Sequence, residues 1–349
     1  MRVTKEKLKE LFKTKFIKAG LSEEHAEITA DVLVFADERG IHSHGAMRVE
    51  YYCERIAKGG INTKPNFQFE KTGPSTGVFH ADGGSGFAAA KAAMDEAIKM
   101  AKENGVAVVG VENMSHSGAI AYYTHQAVKE DLVALTLCQS DPMVVPFGGA
   151  DPYYGTNPIA FAAPSSDGRV ISLDMATTVQ AWGKILYARS KNESIPDTWA
   201  VDAEGNPTTD PHKVNALLPI AGPKGYGLMM MVDVLSGILL GLPFGNKVSS
   251  MYSDLTEYRR LGQLHVVINP AFFTDLEQFK QNITNTMNDL NNIKPAPGFS
   301  QVYFPGQNLD AVIEEYNKNG IEIVDDIYEY LVSDVVHNNK YDNKSPFAE

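Results

Sequence analysis

Residues 106–118 read VAVVGVENMSHSG, and this stretch decides the fold. Its first part, 106–111, is apolar and rich in β-branched residues, which is typical of a strand buried on both faces of a sheet. An Ala-rich stretch over 87–104 predicts a helix that ends at Gly105, and a second helix is predicted at 118–130. Strands and helices that alternate in this way indicate an α/β fold.

The same pattern continues on both sides of this stretch. Further strands are predicted at 76–80, 132–139, 170–173 and 264–269, and further helices at 275–291 and 325–336. We read 61–74 as an extended, Pro-containing linker, and 228–242 as a buried apolar helix too short to cross a bilayer. The polar tail, 338–349, is expected to fray.

The first sixty residues read as three helices. Thr4 and Ser22 are typical N-cap residues, and they predict helices that end at Gly20 and Gly40. The third helix is predicted over about 45–58.

That third helix carries a candidate site. Residues His44, Arg48 and Tyr52 lie four positions apart, so a continuous helix would place them on one face. The planar fork of Arg48 suits a carboxylate, a geometry that lysine cannot match. The alternative is a surface arginine paired with Glu50 or Glu54.

The composition indicates a protein that acts on a small molecule. The chain has 349 residues and a formal net charge of -12, which argues against nucleic acid or an anionic membrane as a partner. Its length favours two or three domains. Cys53 and Cys138 show no CxxC spacing, so we expect no disulfide framework or zinc site, and the cytoplasm is the expected location.

Two histidines lie in turn-forming settings of Ser and Gly. His44 lies in IHSHG and His116 in NMSHSG, where small neighbours leave an imidazole accessible. Histidine has an unperturbed pKa near ~6.5, which suits it to proton transfer at neutral pH. His116 also follows a predicted strand, at the kind of edge where α/β sheets bind ligands. A structural histidine in a turn is the alternative for His116.

His42 and His44 also allow a metal-based alternative, a metal-dependent hydrolase or binding protein. No third ligand of suitable spacing accompanies them, so we expect no metal site.

Two glycine-rich stretches have the form of phosphate-binding turns. Residues 84–89 read GSGFAA, which matches a dinucleotide-binding turn, although a simple glycine-rich helix entry explains it as well. Residues 223–227 read PKGYG and place Lys224 at a helix N-terminus, where a phosphate is favoured, with a ligand-free helix entry as the alternative.

Taken together, six blocks resemble the malate/L-lactate dehydrogenase family, the type-2 malate and lactate dehydrogenases. The blocks are HSHG at 42–45 with Arg48, SHSG at 115–118, PFGG at 146–149, GTNP at 155–158, DMA at 174–176 and PKGYG at 223–227. Their order and spacing cover essentially the whole chain.

The resemblance implies an α/β fold with a mixed sheet that is not a Rossmann fold, so 84–89 would not be a phosphate loop. It implies a helical domain from both termini, 1–60 plus 325–349. A cofactor-binding domain would comprise 61–115 plus 245–324, and 116–244 would form an inserted third domain. The assembly would be a homodimer with active sites near the subunit interface.

The resemblance also implies the oxidation of a small 2-hydroxy acid with NAD as cofactor. The expected cofactor-binding residues are Ser140, Asp174, Met175, Ala176, Lys224, Gly306, Gln307 and Asn308. An acid is expected after Gln307, and Asn308 departs from that pattern. Malate, lactate, sulfolactate or a keto acid such as diketogulonate remain open as substrates, and so does NAD against NADP.

Substrate and base follow from the same resemblance. Arg48, Tyr52, His44 and His116 would contact the substrate, with His116 as the general base and Arg48 as the carboxylate clamp. Asp141 is expected to orient His116 or to stabilise its imidazolium form.

Overall fold

The computed structural model describes residues 1–342. Over these residues the helices are α1 (Lys5–Ala19), α2 (Glu23–Glu38), α3 (Val49–Ala57), α4 (Gly86–Asn104), α5 (Ala121–Val128), α6 (Trp182–Lys191), α7 (Pro223–Ser236), α8 (Leu276–Asn292), α9 (Asp310–Asn319) and α10 (Asp325–Val332). The strands are β1 (Arg2–Val3), β2 (Gln68–Lys71), β3 (Thr76–His80), β4 (Val106–Met114), β5 (Val133–Cys138), β6 (Ile159–Pro164), β7 (Val170–Met175), β8 (Ala200–Val201), β9 (Ala216–Leu217), β10 (Leu261–Ile268) and β11 (Ile321–Glu322).

A seven-stranded mixed sheet forms the centre of the molecule, in the order β2-β3-β4-β10-β5-β6-β7. The β3–β4 pair is parallel, and the other neighbouring pairs are antiparallel. The prediction of an α/β fold with a mixed sheet is therefore confirmed.

Both faces of the sheet are covered, as the apolar run of β4 predicts. Val109 and Val111 belong to the main hydrophobic core, which includes α4 residues, whereas Val108 belongs to a separate cluster that includes Val232 of α7. Successive strand residues point to opposite faces, so α4 and α7 cover opposite sides.

Most predicted elements are present, with shifted ends. β3 and the caps Thr4 and Ser22 are as predicted, while β4 is longer than expected and reaches Met114. The helix predicted from Gly118 begins only at Ala121, because Gly118 has a φ of 74° and cannot lie in a right-handed helix. Sequence reasoning missed several elements, namely β2 within the expected linker, β6, α6, α9 and the two-residue strands.

The helix predicted at 228–242 is wrong in extent and in burial. α7 starts earlier, at Pro223, and ends at Ser236. One side of the helix and of the turn after it is exposed in the single chain, with Leu228 at 40 % and Leu239 at 59 %. Within the described residues, no helix combines the length and apolar character needed to cross a membrane.

The two ends of the chain pack together. β1 pairs with β11, and the Lys15 ammonium in α1 donates to the carbonyls of Ser333 and Val335. The prediction of a frayed tail is wrong for 338–342, which α3 holds through hydrogen bonds, while 343–349 lie outside the described residues.

Three strands of the central sheet lie within 116–244, the segment predicted to form a separate domain. These strands are β5, β6 and β7, so a boundary at residue 116 cuts through the sheet. A smaller core, which includes Val144, Ile185 and Met229, and the β8–β9 pair lie within the same segment. The division into three domains stays a prediction.

Candidate active site

His116 lies in the loop that follows β4. The amide of Gly86 donates to the Ser115 Oγ at 2.8 Å, and a Cβ at Gly86 would lie 2.1 Å from the Ser115 carbonyl oxygen. The glycine-rich turn at 84–89 therefore packs the start of α4 against the His116 loop. The Ser115 hydroxyl thus contacts the start of α4, and the N-cap residue of α5 makes no side-chain capping bond.

The His116 ring is half-buried and tightly surrounded. Its Nδ1 lies 2.7 Å from the Tyr52 hydroxyl and accepts the Gly118 amide at 3.1 Å. The His44 ring stacks on it, with centroids 6.0 Å apart and 29° between the planes. Burial, together with the neighbouring His44 ring and the positive charges of Arg259 and Arg48, lowers the pKa of His116 well below its ordinary value. The ring is therefore neutral at pH 7 and able to accept a proton.

His44 and Arg48 reach the site by a route that the sequence did not predict. The chain forms two short 3-10 turns, His42–His44 and Ala46–Arg48, and α3 begins only at Val49. His44, Arg48 and Tyr52 therefore do not share a continuous helix, although His44 and Tyr52 both contact His116.

A buried carboxylate shapes this loop. Asp37 accepts the Ala46 amide at 2.7 Å and contacts Nδ1 of His42 at 2.9 Å. A Cβ at Gly45 would lie 2.1 Å from the same carboxylate, so only glycine fits there. Asp37 was missed because its role depends on loop geometry.

Arg48 is held in a fixed orientation. Its Nε donates to the Ser43 carbonyl at 2.8 Å, and its Nη1 donates to the Tyr252 hydroxyl. Burial lowers the pKa of Arg48, but Tyr252 and Tyr52 outweigh it and leave the pKa above its ordinary value. The surface-pair alternative is not what the structure shows, since Glu50 and Glu54 bind the tail.

Asp141 is placed differently from the prediction. Its carboxylate accepts hydrogen bonds from Arg259 and from the Met251 amide, and among the described residues no hydrogen bond joins it to His116. The contact expected of Asp141 is made by Tyr52. The buried Arg259–Asp141 pair lies close enough to His116 for Arg259 to influence its pKa.

Ser140, an expected cofactor residue, lies beyond the carboxyl end of β5. Its Oγ lies 3.0 Å from the Thr156 hydroxyl and accepts the Asn157 amide at 3.1 Å. Asn157 in turn donates from Nδ2 to the Met229 carbonyl of α7. A Cβ at Gly155 would lie 2.3 Å from the Ser140 carbonyl oxygen, so this close approach depends on glycine.

The segment 174–176 joins the same region. The Thr177 amide, next to Ala176, donates to the Thr156 carbonyl at 2.8 Å. Met175 ends β7, and Asp174 accepts the Ala121 amide at the start of α5 at 3.1 Å. Desolvation raises the pKa of Asp174 to about 6, and the Ala121 amide partly opposes this shift.

Two further expected cofactor positions lie at helix beginnings. Lys224 is exposed in the first turn of α7, where no side chain caps the helix. Gly306 has a left-handed φ of 95°, and the carbonyl before it accepts the Ser172 amide of β7 at 3.0 Å.

The remaining two positions, Gln307 and Asn308, differ in how their side chains are placed. Gln307 exchanges amide hydrogen bonds with Asn291 and accepts the Phe304 amide, whereas Asn308 is exposed.

The metal alternative has no support in the geometry. Between residues 1 and 342, no group of three His, Cys, Asp or Glu side chains is placed to hold a metal ion. The His42 ring is used at both nitrogens, by Asp37 and by the Tyr316 hydroxyl at 3.2 Å.

A neutral histidine beside an oriented arginine, past the carboxyl end of β4, has the chemistry for proton transfer on a small anion. The family model for malate/L-lactate dehydrogenase matches residues 3–332. The chain belongs to this malate/L-lactate dehydrogenase family.

Individual relatives agree with that assignment. Ureidoglycolate dehydrogenase (NAD(+)) of Escherichia coli O157:H7 is 61% identical over 349 residues, which cover 100% of both chains. L-sulfolactate dehydrogenase of Methanocaldococcus jannaschii is 41% identical, over 90% of each chain.

The solved structures agree as well. The sulfolactate dehydrogenase structure from Methanocaldococcus jannaschii superimposes with a TM-score of 0.89 at 39% identity, covering 95% of each chain. Malate dehydrogenase from Pyrococcus horikoshii OT3 gives a TM-score of 0.86 at 34% identity, covering 95% of this chain and 93% of that one.

Proposed function

We propose that this protein oxidises (S)-ureidoglycolate to oxalurate with NAD as the hydride acceptor. The observation that carries the proposal is a neutral His116 ring near enough to the oriented Arg48 for that guanidinium to lower its pKa, in a chain that matches ureidoglycolate dehydrogenase along its full length. Longer strings, such as CQSDPMVVP at 138–146 and IPDTWAVD at 195–202, resemble the same enzyme.

His116 is the general base in this proposal. Oxidation of the alcohol needs a group that takes the hydroxyl proton, and a neutral imidazole can do so. Nδ1 of His116 accepts the Gly118 amide and lies 2.7 Å from the Tyr52 hydroxyl, and these two contacts hold the ring in place. Tyr52 thus orients the His116 ring, a role first expected of Asp141.

Arg48 binds the carboxylate. Nε and Nη1 are used by Ser43 and Tyr252, and this fixes the plane of the guanidinium before the substrate arrives. A fixed fork loses less conformational entropy on binding than a mobile one. The His44 ring stacks on the His116 ring and covers one of its faces.

The residues present fit a nicotinamide dinucleotide. Ser140 offers a hydroxyl, Asp174 a carboxylate suited to ribose hydroxyls, and Lys224 an ammonium at an uncapped helix start suited to a diphosphate. The left-handed backbone at Gly306 allows close approach of a ligand. When bound, NAD supplies the hydride acceptor.

We also propose a homodimer and a cytoplasmic location. The exposed apolar side of α7 supports the dimer, since monomers rarely expose a long apolar stripe. The two cysteines, Cys53 and Cys138, are free and buried, which fits a reducing compartment.

A second candidate function is the oxidation of malate or sulfolactate, which the relatives' names favour within the family. The test is absorbance at the reduced-nicotinamide band with EDTA-treated protein, given (S)-ureidoglycolate, malate, sulfolactate or lactate, each with NAD and then NADP. We expect rapid reduction with ureidoglycolate and NAD. Turnover of malate or sulfolactate alone would make that acid the substrate in place of ureidoglycolate. Loss of activity on chelation would contradict the metal-free mechanism.

A further inference from the structure

We propose that the carboxy-terminal tail, residues 338–342, positions the carboxylate clamp by holding Tyr252 against Arg48. This inference rests on the proposed function, in which Arg48 binds the substrate carboxylate. It assigns a part in substrate binding to a segment that lies at the far end of the chain from the site.

Tyr252 is the link to the clamp. Its hydroxyl accepts the hydrogen bond from Nη1 of Arg48, while the Ser43 carbonyl accepts the one from Nε. Two acceptors in different directions fix a planar guanidinium, whereas one leaves it free to swing. Loss of the Tyr252 hydroxyl would therefore release the fork without removing its charge.

Tyr252 lies on an irregular segment, residues 249–259, which we call the strap. The Met251 amide and Arg259 both donate to Asp141, and Tyr51 donates to the Met251 carbonyl at 2.8 Å. These bonds fasten both ends of the strap. In its middle, 252–258, Arg55 of α3 donates to the Glu257 carbonyl and the Leu255 side chain is buried in the main core.

The tail adds contacts at Leu255 and at Tyr252 itself. The Asp342 carboxylate accepts the Leu255 amide at 3.0 Å. The Tyr341 ring stacks on the Tyr252 ring, with centroids 6.3 Å apart and 25° between the planes, and meets Tyr51 edge-on at 5.7 Å. Tyr252 is thus enclosed between an aromatic ring of the tail and one of α3.

The tail is itself anchored to α3. The Glu54 carboxylate, which is fully buried, accepts the amides of Lys340 at 2.8 Å and Tyr341 at 3.2 Å, and Glu50 accepts the Asn338 amide at 3.0 Å. A buried carboxylate is costly unless donors satisfy it, so the tail and these two acids depend on one another. Arg48 is the residue from which α3 starts. The tail therefore contacts both the helix that carries Arg48 and the strap that carries Tyr252.

The first test removes only the hydroxyl, in Tyr252→Phe, which keeps the ring contacts. We expect the KM for the 2-hydroxy acid to rise about tenfold, the usual effect of losing a hydrogen bond to a charged group. The kcat and the Kd for NAD should stay close to the wild-type values, because neither His116 nor the Ser140 region is touched. An unchanged KM would overturn the role of Tyr252.

The second test ends the chain at His337. We expect the same rise in KM, with kcat and the Kd for NAD again retained. The matched control ends the chain at Asp342 and should keep the wild-type KM; an equal rise there would overturn the assignment to 338–342. Should the shorter chain fail to fold, Asp342→Ala removes the bond to Leu255 and should also raise the KM.

The decisive comparison combines the changes. If the tail acts through Tyr252, then Asp342→Ala together with Tyr252→Phe should raise the KM no further than Tyr252→Phe alone. Independent, multiplying effects would overturn the proposal. Failure of the proposed function is a separate result, because wild-type protein would then show no turnover of ureidoglycolate; any other 2-hydroxy acid that it oxidises serves for the same KM comparison.

Discussion

At the scale of single residues, the surroundings of His116 determine what the site can do. Burial disfavours the imidazolium, and Arg48 and Arg259 disfavour it further through their positive charges. His116 therefore remains neutral well below pH 6.5, and oxidation should not lose its base on moderate acidification. In the proposed function Arg48 also attracts the anionic substrate, whereas the charge of Arg259 is paired with Asp141.

Replacement of His116 tests its role as base. We expect His116→Asn to lower kcat by at least ~100-fold while the Kd for NAD stays nearly unchanged, because general-base catalysis is typically worth 10²–10⁴-fold. Steady-state kinetics and cofactor titration measure the two effects. His212→Asn, the same change at an exposed histidine, should leave kcat as it is. A His116 variant with most of its turnover would remove His116 from this role.

Arg48 tests the geometry of the clamp separately from its charge. Arg48→Lys keeps the positive charge but loses the planar fork and cannot serve Ser43, Tyr252 and a carboxylate together, so the KM should rise at least about tenfold. Arg2→Lys, at an exposed arginine paired with Glu315, is the matched control and should not change the KM. An unaltered KM in Arg48→Lys would place the carboxylate elsewhere.

At the scale of elements, local signals predicted those helices and strands that have clear caps or a continuous apolar run. Thr4 and Ser22 cap their helices as predicted, because a cap needs only the residue and the next three amides. The apolar run of β4 predicted burial on both faces. The loop before α3 was not predictable in this way, since the buried Asp37 side chain, and not periodicity, decides its path.

Contacts between segments that are distant in sequence could not be predicted either. His116, His44 and Tyr52 were identified and do meet, but their link to Tyr252 could not be foreseen, because 204 positions separate Tyr252 from Arg48. Asp141 illustrates the same limit. The resemblance suggested that Asp141 orients His116 or stabilises its imidazolium form, yet the Asp141 carboxylate is paired with Arg259, 118 positions away.

The exposed side of α7 predicts how two copies associate. Exposed apolar residues recur every three or four positions, at Leu228, Met231, Val234 and Ile238, and Ile238 and Leu239 extend this side into the following turn. A charge buried at the centre of such a contact is strongly unfavourable, so Leu239→Asp should raise the dimer Kd at least about 100-fold.

Analytical ultracentrifugation over a range of concentrations measures this dimer. Phe273→Asp, at another exposed apolar residue, is the control and should remain dimeric. A Leu239→Asp protein that stays fully dimeric would show that α7 lies outside the interface, and a monomeric wild type would contradict the proposed homodimer.

At the scale of the whole molecule, buried histidines make the fold sensitive to acid. Burial lowers the pKa of His44 and of His125 to about 4, and that of His265 to about 3. In the unfolded chain these rings titrate near ~6.5. As the pH falls below 6.5 the unfolded chain therefore binds protons that the folded chain does not, and stability is lost down to about pH 4.

His125 allows this effect to be isolated from the carboxyl groups. Asp37 and Asp233 have raised pKa values, through burial, and so act with the opposite sign, but a comparison between variants cancels their contribution. His125→Gln can keep a hydrogen bond to the Ser172 hydroxyl, now 2.9 Å from the ring, without a titrating group. Its free energy of unfolding should fall less steeply than that of the wild type between pH 6.5 and 4, by up to about 1.4 kcal/mol per pH unit. Urea titrations at several pH values measure the slope, with exposed His212→Gln as control. Parallel curves for wild type and His125→Gln would mean that His125 takes up its proton at the same pH in the folded protein as in the unfolded chain.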